Sequence, residues 1–521
     1  MSIEIKNRVG LRDILTYSAD FSMPKRGGTM FSIINRTHPD KPAMVYQDTV
    51  ITYRQLLDTA GSMANGLTAR GYRPGDKILI ILDNCPEILY VYYACFYAGL
   101  VAIPVMGVTR QETIAEIIEE TKPGILVTDS KYSAKIGRIS DKLDIYLTDA
   151  SAPSAHHRPL LQLMGTDCIP RSPEVLGEQT MLILYTTGST GKPKGVMHSA
   201  KSILLFTKEC GQYHQFSSAD HALICLSLSH AFNLLAAAFP TLLTGGTLYI
   251  EPNDSDKTVL LKSLVENRIT VMAAVPSMYR LLVEYAANKP PVNHYLRLCV
   301  VAGDIVPKPL HVDFKEVFGL MLNEQIGSTE TVLATANPMD DAQKRLGSTG
   351  KPFTNVQIQI DRPDSQGRGE ILVKSPYLLQ RYYNEEKNRE NEWFHTGDFG
   401  FMDDEGYLWF QGRIKDLIVH DGYNISPLEI EAVLHDYPGV KEAAVIGVPS
   451  ELYGEDLVVY ISFGPDTDHG DEKAIRDFMT SCFEYFKHPE KIVILDTLPK
   501  NNTGKIDRKV LKEWGAAPAG R

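Results

Sequence analysis

Short apolar runs alternate with helical patterns along most of the chain. Residues 77–82, Lys-Ile-Leu-Ile-Ile-Leu, predict a strand. Pro86 opens a helix, Gly99 stops it, and 101–105 predict a second strand. Residues 112–121 carry a helical pattern and 124–128 a third strand. Strands of this length separated by helices predict an α/β chain built on largely parallel sheets. From 88 to 108 there is no charge, about the length that spans a bilayer. Gly99 and Pro104 interrupt that stretch, and its tyrosines (90, 92, 93 and 97) are spread along it. It therefore predicts a buried helix and strand, with no membrane span. Residues 150–173, rich in Ser, Pro and His, predict a surface loop.

The pattern changes near Gly412-Arg413-Ile414-Lys415-Asp416. Residues 403–407 before it predict a hairpin turn. After it come a helix at 427–434, strands at 443–448 and 457–463, a helix from 472 and a strand at 491–495. That is enough chain for a small α+β domain. The expected division is a large domain, 1–413, and a small one, 414–521. A chain of 521 residues also exceeds what one core ordinarily holds.

Composition narrows the classes. Hydrophobic content of 44% and charged content of 22% are ordinary for a globular protein. A net charge of −11 argues against nucleic acid as the main partner, which needs clustered Lys and Arg. Seven scattered cysteines without a Cys-x-x-Cys pair fit a reduced compartment and neither a disulfide framework nor a zinc site. The charged N-terminus has no apolar signal core, so the expected location is cytoplasmic.

The most informative segment follows the apolar strand 181–184. It reads Tyr185-Thr186-Thr187-Gly188-Ser189-Thr190-Gly191-Lys192-Pro193-Lys194-Gly195. Three Gly, several hydroxyls and two Lys suit a loop that wraps a polyphosphate with N–H groups, hydroxyls and ammonium. It is not a Walker loop, which needs Gly at 186 and Ser or Thr at 193.

With four further segments in order, this loop resembles the adenylate-forming superfamily of acyl- and aryl-CoA ligases, adenylation domains and beetle luciferases. Ile326-Gly327-Ser328-Thr329-Glu330 resembles its Gly-x-Thr-Glu motif, and Thr396-Gly397-Asp398 its Thr-Gly-Asp motif. The segment from Gly412 to Asp416, continuing to Gly422-Tyr423-Asn424-Ile425, resembles its hinge. Pro499-Lys500-Asn501-Asn502-Thr503-Gly504-Lys505 resembles its C-terminal lysine motif. The likeness runs from about Thr52 to Lys509.

The resemblance implies a large domain of parallel-rich sheets with a β-barrel-like subdomain, and a small mobile lid. It implies ATP, Mg2+ and coenzyme A, or the phosphopantetheine of a carrier protein, as cofactors and acceptor. Attack of a carboxylate on the α-phosphorus brings like charges together, so catalysis rests on positioning and charge neutralisation. By resemblance, Glu330 holds magnesium and Thr329 bonds the α-phosphate. Thr186, Thr187, Ser189, Thr190, Lys194, Gly327 and Ser328 surround the nucleotide. Asp398 and Arg413 take the ribose, Lys505 bridges carboxylate and α-phosphate, and Lys415 is the hinge.

The acid pocket is implied at Ser229, His230, Phe232, Asn233, Ala302, Gly303, Asp304, Ile326, Gly327 and Thr331, with His230 as gate. Phe232 stands about where relatives that activate amino acids place an Asp for the ammonium. A buried ammonium without a partner is costly, so an aryl or medium-chain acid is expected. Coenzyme A is the expected thiol, because no carrier domain follows in the sequence. The alternatives are a stand-alone enzyme that loads a carrier protein, and a non-catalytic nucleotide-binding scaffold. A homodimer is left open.

Overall fold

The computed structural model describes residues 38–136, 143–149, 157–168, 177–187, 193–252, 257–287, 294–304, 306–386, 389, 392–450, 452–464, 471–500 and 506–515. Two large sheets make the bulk of it. The first has nine strands in the order Lys351–Pro352, Thr335–Ala336, Asn323–Ile326, Leu298–Val301, Val271–Ala274, His221–Ile224, Thr247–Ile250, Pro42–Tyr46 and Thr49–Thr52. Its centre is parallel.

The second has eight strands in the order Arg381–Tyr382, Pro193–Ser199, Thr180–Thr187, Val101–Pro104, Lys77–Ile81, Ile125–Thr128, Asp144–Leu147 and His157–Pro159. It is parallel from Thr180–Thr187 to the far edge and antiparallel at the near edge.

One core joins these sheets through the helices Tyr53–Ala69 and Pro86–Ala98. After Glu87 in its first turn the second helix is apolar all round, and Tyr92, Tyr93, Cys95 and Phe96 are fully or almost fully buried. That is the expected fate of a helix without a polar face in a large protein. Gly99 ends it in the left-handed region at φ 71°, where a side chain would be strained. Thr52 and Gln55 close a capping box at the start of the first helix. Among the described residues no helix is long and apolar enough to cross a membrane.

A four-stranded antiparallel sheet follows, in the order Gln357–Asp361, Gly369–Lys374, Phe394–Met402 and Leu408–Arg413. A smaller C-terminal unit comes last. Its sheet runs Tyr423–Ile425, Ile418–His420, Gly454–Phe463, Val440–Ser450, with Lys491–Ile494 parallel to Gly454–Phe463. Its apolar clusters draw only on residues from Ile418 onward.

The expected loop at 150–173 is only partly within the described residues. Where described it is ordered: His157–Pro159 adds an edge strand parallel to Asp144–Leu147, and Leu160–Leu163 forms a 3-10 turn. Leu160 and Leu163 are buried, and Gly165 donates to the Ser62 carbonyl at 2.8 Å. Those two leucines outweigh the polar composition around them.

Candidate active site

The two ends of the hydroxyl-rich segment lie on neighbouring antiparallel strands. Thr186 pairs with Lys194 and Thr187 with Pro193, so the stem is fixed by the sheet. Gly188, Ser189, Thr190, Gly191 and Lys192 lie outside the described residues. Lys194 Nζ sits 5.1 Å from the ring centre of Tyr382.

Beside the stem, Ile326 to Val332 form a tight turn leaving the strand Asn323–Ile326. Val332 N–H donates to the Ser328 carbonyl at 2.8 Å, and Ala334 N–H to the Ile326 carbonyl at 2.8 Å. A Cβ on Gly327 would lie 2.1 Å from the Val332 oxygen, so the turn needs glycine there. Ser328 and Thr331 lock the turn, each backbone N–H bonded to the other's hydroxyl at 3.0 and 3.1 Å. Thr331 is therefore buried within the turn.

This turn presents Thr329 and Glu330. His198 Nε2 bonds the Thr329 carbonyl at 2.8 Å, and Leu379 N–H the Glu330 carbonyl at 2.8 Å. Tyr382 donates its hydroxyl to Glu330 Oε1 at 3.0 Å. Burial pushes His198 down to about 4, so it is neutral and Nε2 carries the proton it donates.

Asp398 is buried on Phe394–Met402, directly across from Arg413. Arg413 Nε lies 2.8 Å from Asp398 Oδ1. That contact is an ion pair without an aligned N–H, and Oδ1 has no hydrogen-bond donor. Burial pushes Asp398 up to about 6; Arg413 works against that rise, while the carboxylates of Glu330 and Glu370 add to it. The Glu330 and Asp398 motifs, 68 residues apart in sequence, thus share one electrostatic environment. Glu370 accepts from the Gly397 N–H at 3.0 Å and meets His395 Nδ1 at 2.9 Å, which holds the turn before Asp398.

The segment leading to Ser229 and His230 is pinned by Asn84, which sequence reasoning passed over. Its amide accepts from Leu228 N–H at 2.8 Å and donates to the Leu226 and Glu251 carbonyls at 3.0 and 3.2 Å. Exposed His230 caps the short helix Ala231–Asn233, with Nδ1 accepting from Phe232 N–H at 3.2 Å. Leu234–Ala238 then widens into a π turn, a feature common at functional sites. Phe232 packs on the core half-buried, while Leu234 and Leu235 are buried. Ser229 Oγ and Asn233 Oδ1 are buried without hydrogen-bond partners.

Ala302 is buried and Gly303 exposed. Asp304 is exposed, and its charge acts on Arg508 of the C-terminal unit. Arg508 itself clamps Glu431 at 2.6 and 2.7 Å. Lys415 is exposed in the 3-10 turn Ile414–Asp416. Lys505 lies outside the described residues; Lys500 and Ile506 are bridged.

The arrangement suits a nucleotide with magnesium. Asp398 Oδ1 is a buried acceptor lacking a donor, which a sugar hydroxyl would supply. Glu330 has a carboxylate oxygen left over after its bond from Tyr382, and hard cations take such oxygens.

Comparison with known proteins agrees along the chain. The sequence model of the AMP-binding enzyme family matches residues 31–383, and that of the AMP-binding enzyme C-terminal domain matches 429–505. The 2-succinylbenzoate–CoA ligase of Bacillus subtilis (strain 168) is 30% identical over 488 residues, 91% of this chain and 95% of its own length. The indoleacetate–CoA ligase of Aromatoleum aromaticum is 30% identical over 495 residues, with coverage of 91% and 95%. Among solved structures, ATP-bound MatB from Rhodopseudomonas palustris has a TM-score of 0.84 at 27% identity, covering 93% of this chain and 98% of that one. The o-succinylbenzoate coenzyme A synthetase of Bacillus subtilis, solved with ATP and magnesium ion, has a TM-score of 0.78 at 27% identity, covering 93% and 99%.

Proposed function

This chain belongs to the AMP-binding enzyme family, and from that premise we propose that it joins a carboxylic acid to coenzyme A through an acyl-adenylate, releasing pyrophosphate. Its class is AMP-forming acid–thiol ligase. The observation that carries the site reading is the convergence of Glu330 and buried Asp398 beside the hairpin stem at Thr186 and Lys194.

Each group has a role that its chemistry supports. Asp398 accepts from the ribose hydroxyls, with Arg413 beside it. Thr186, Thr187, Ser189, Thr190 and Lys194 surround the phosphates. Glu330 holds magnesium, which when bound neutralises phosphate charge. Thr329 orients the α-phosphate, and Lys505 places one positive charge between it and the incoming carboxylate. We take residues 414–521 as the lid carrying Lys505, with Lys415 as its hinge.

For the acid, the apolar Phe232, Leu234 and Leu235 favour an uncharged aryl or medium-chain tail. The names of two relatives specify aromatic acids, 2-succinylbenzoate and indoleacetate. Single methylene contacts discriminate by only about 1–3 kcal/mol, so related acids should be accepted. The relatives' coenzyme A favours that acceptor over a carrier protein.

Pyrophosphate release across a panel of acids tests the first half. The best acid is then offered with free coenzyme A or with phosphopantetheinylated carrier proteins. Thioester on the carrier alone would overturn the acceptor, and an α-amino acid as best substrate would overturn the pocket argument. Glu330→Gln should lower pyrophosphate release about 100- to 1,000-fold, by analogy with loss of a preorganised charge-stabilising group, with the fold intact. Unchanged turnover would make Glu330 structural.

A further inference from the structure

Glu330 is held in an unusual degree of detail. Its peptide is anchored on both sides: the Thr329 carbonyl by His198 and the Glu330 carbonyl by Leu379 N–H, each at 2.8 Å. What remains free is the side chain, and Tyr382 fixes it through Oε1 at 3.0 Å. The strand carrying Tyr382 is hydrogen-bonded to Pro193–Ser199, Tyr382 opposite Val196 and Arg381 opposite Met197. His198 lies on that same strand, which is the return limb of the phosphate hairpin. The Tyr382 ring is in turn flanked by two cations, Lys194 Nζ at 5.1 Å and the Arg389 guanidinium at 5.6 Å from its centre. Two neighbouring strands thus orient Glu330 and also carry the lysine at the base of the phosphate loop.

We propose that Tyr382 is a positioning residue: its hydroxyl holds one carboxylate oxygen of Glu330 so that the other is presented to a divalent cation on the nucleotide. The inference rests on the reading of Glu330 as the magnesium ligand. Groups that hold a ligating carboxylate from behind typically change metal affinity by about 10–100-fold when removed.

The test is calorimetric binding of a non-hydrolysable ATP analogue to the whole chain at low and at saturating Mg2+, needing no turnover. Tyr382→Phe keeps the ring between Lys194 and Arg389 and removes only the hydroxyl. It should raise the Mg2+ concentration for half-maximal tightening about tenfold and leave affinity for the analogue without Mg2+ unchanged. In pyrophosphate release the same variant should need about tenfold more Mg2+ and recover toward the parent rate when Mg2+ is saturating. Glu330→Gln, run in parallel, separates the two readings. If Glu330→Gln weakens the Mg2+ effect and Tyr382→Phe does not, Tyr382 is no positioning residue. If neither weakens it, the assignment of Glu330 falls, and the proposal with it. Equal loss of analogue binding with and without Mg2+ in Tyr382→Phe would also overturn it, since a general loosening of the site moves both.

Discussion

Asp398 carries a conflict between location and charge. Burial raises its carboxyl to about 6, although Arg413 lies 2.8 Å away. A raised value means that protonation favours the folded state as pH falls, while ionisation above about 6 costs stability. Its proposed work needs the ionised form, because a protonated carboxyl loses acceptor capacity. The ratio of AMP affinities, parent over Asp398→Asn, should therefore be large at pH 8 and shrink as pH falls through about 6. The ratio cancels the ligand's own titration, and a flat ratio from pH 5 to 8 would remove Asp398 from the ribose site. Asp398 was legible in the sequence because a motif surrounds it. Tyr382 was not: a tyrosine 52 residues after Glu330 has no local signature, and strand pairing alone brings it there. Asn84 was hidden for the same reason, its partners lying 142 to 167 residues away.

Among the elements, local patterns read well where period and punctuation agree. The helix Pro86–Ala98, its Gly99 stop and the strand Val101–Pro104 follow the sequence expectation, as do Pro427–Leu434 and Lys491–Ile494. The π turn at Leu234–Ala238 was illegible, since Leu-Leu-Ala-Ala-Ala reads as ordinary helix. The order of strands across the two large sheets was equally hidden, being set by pairings between distant segments. Proline fixes φ and removes an N–H, and Lys415 lies in an exposed 3-10 turn. Lys415→Pro should leave pyrophosphate release near normal and slow thioester formation from supplied acyl-adenylate strongly. Lys505→Ala should do the reverse, abolishing the first half-reaction and largely sparing the second. Stopped-flow measurement of each half-reaction checks both, and equal loss in both steps would remove either assignment.

At the scale of the whole molecule, histidines held neutral by burial lower stability in acid. His214 is pushed down to about 3, first by burial and then by Arg297 and Lys344, and His435 to about 4 by burial and Arg280. Each is neutral when folded and takes a proton on unfolding below about 6.5, so stability present above that pH drains away as pH falls. Asp398 and Glu209, raised to about 6 and about 7, work in the opposite sense. A difference measurement isolates one group. His214→Gln should flatten the pH slope of urea unfolding by up to about 1.4 kcal/mol per pH unit between pH 6 and 4. An unchanged slope would mean that His214 is protonated inside the fold. The charge-free stretch from 88 onward in the helix Pro86–Ala98 has a different consequence, which lies in biosynthesis. Phe96 packs against Phe239 with ring centres 5.8 Å apart, and Val101–Pro104 pairs with Thr180–Thr187. At a translation rate of about 5–20 residues per second, the ribosome needs roughly 7–30 s after Phe96 to deliver Phe239. Throughout that interval the nascent chain carries an apolar stretch that Tyr53–Ala69 can already meet but whose Phe239 partner is not yet made, so part of its surface stays open to water long after its own synthesis.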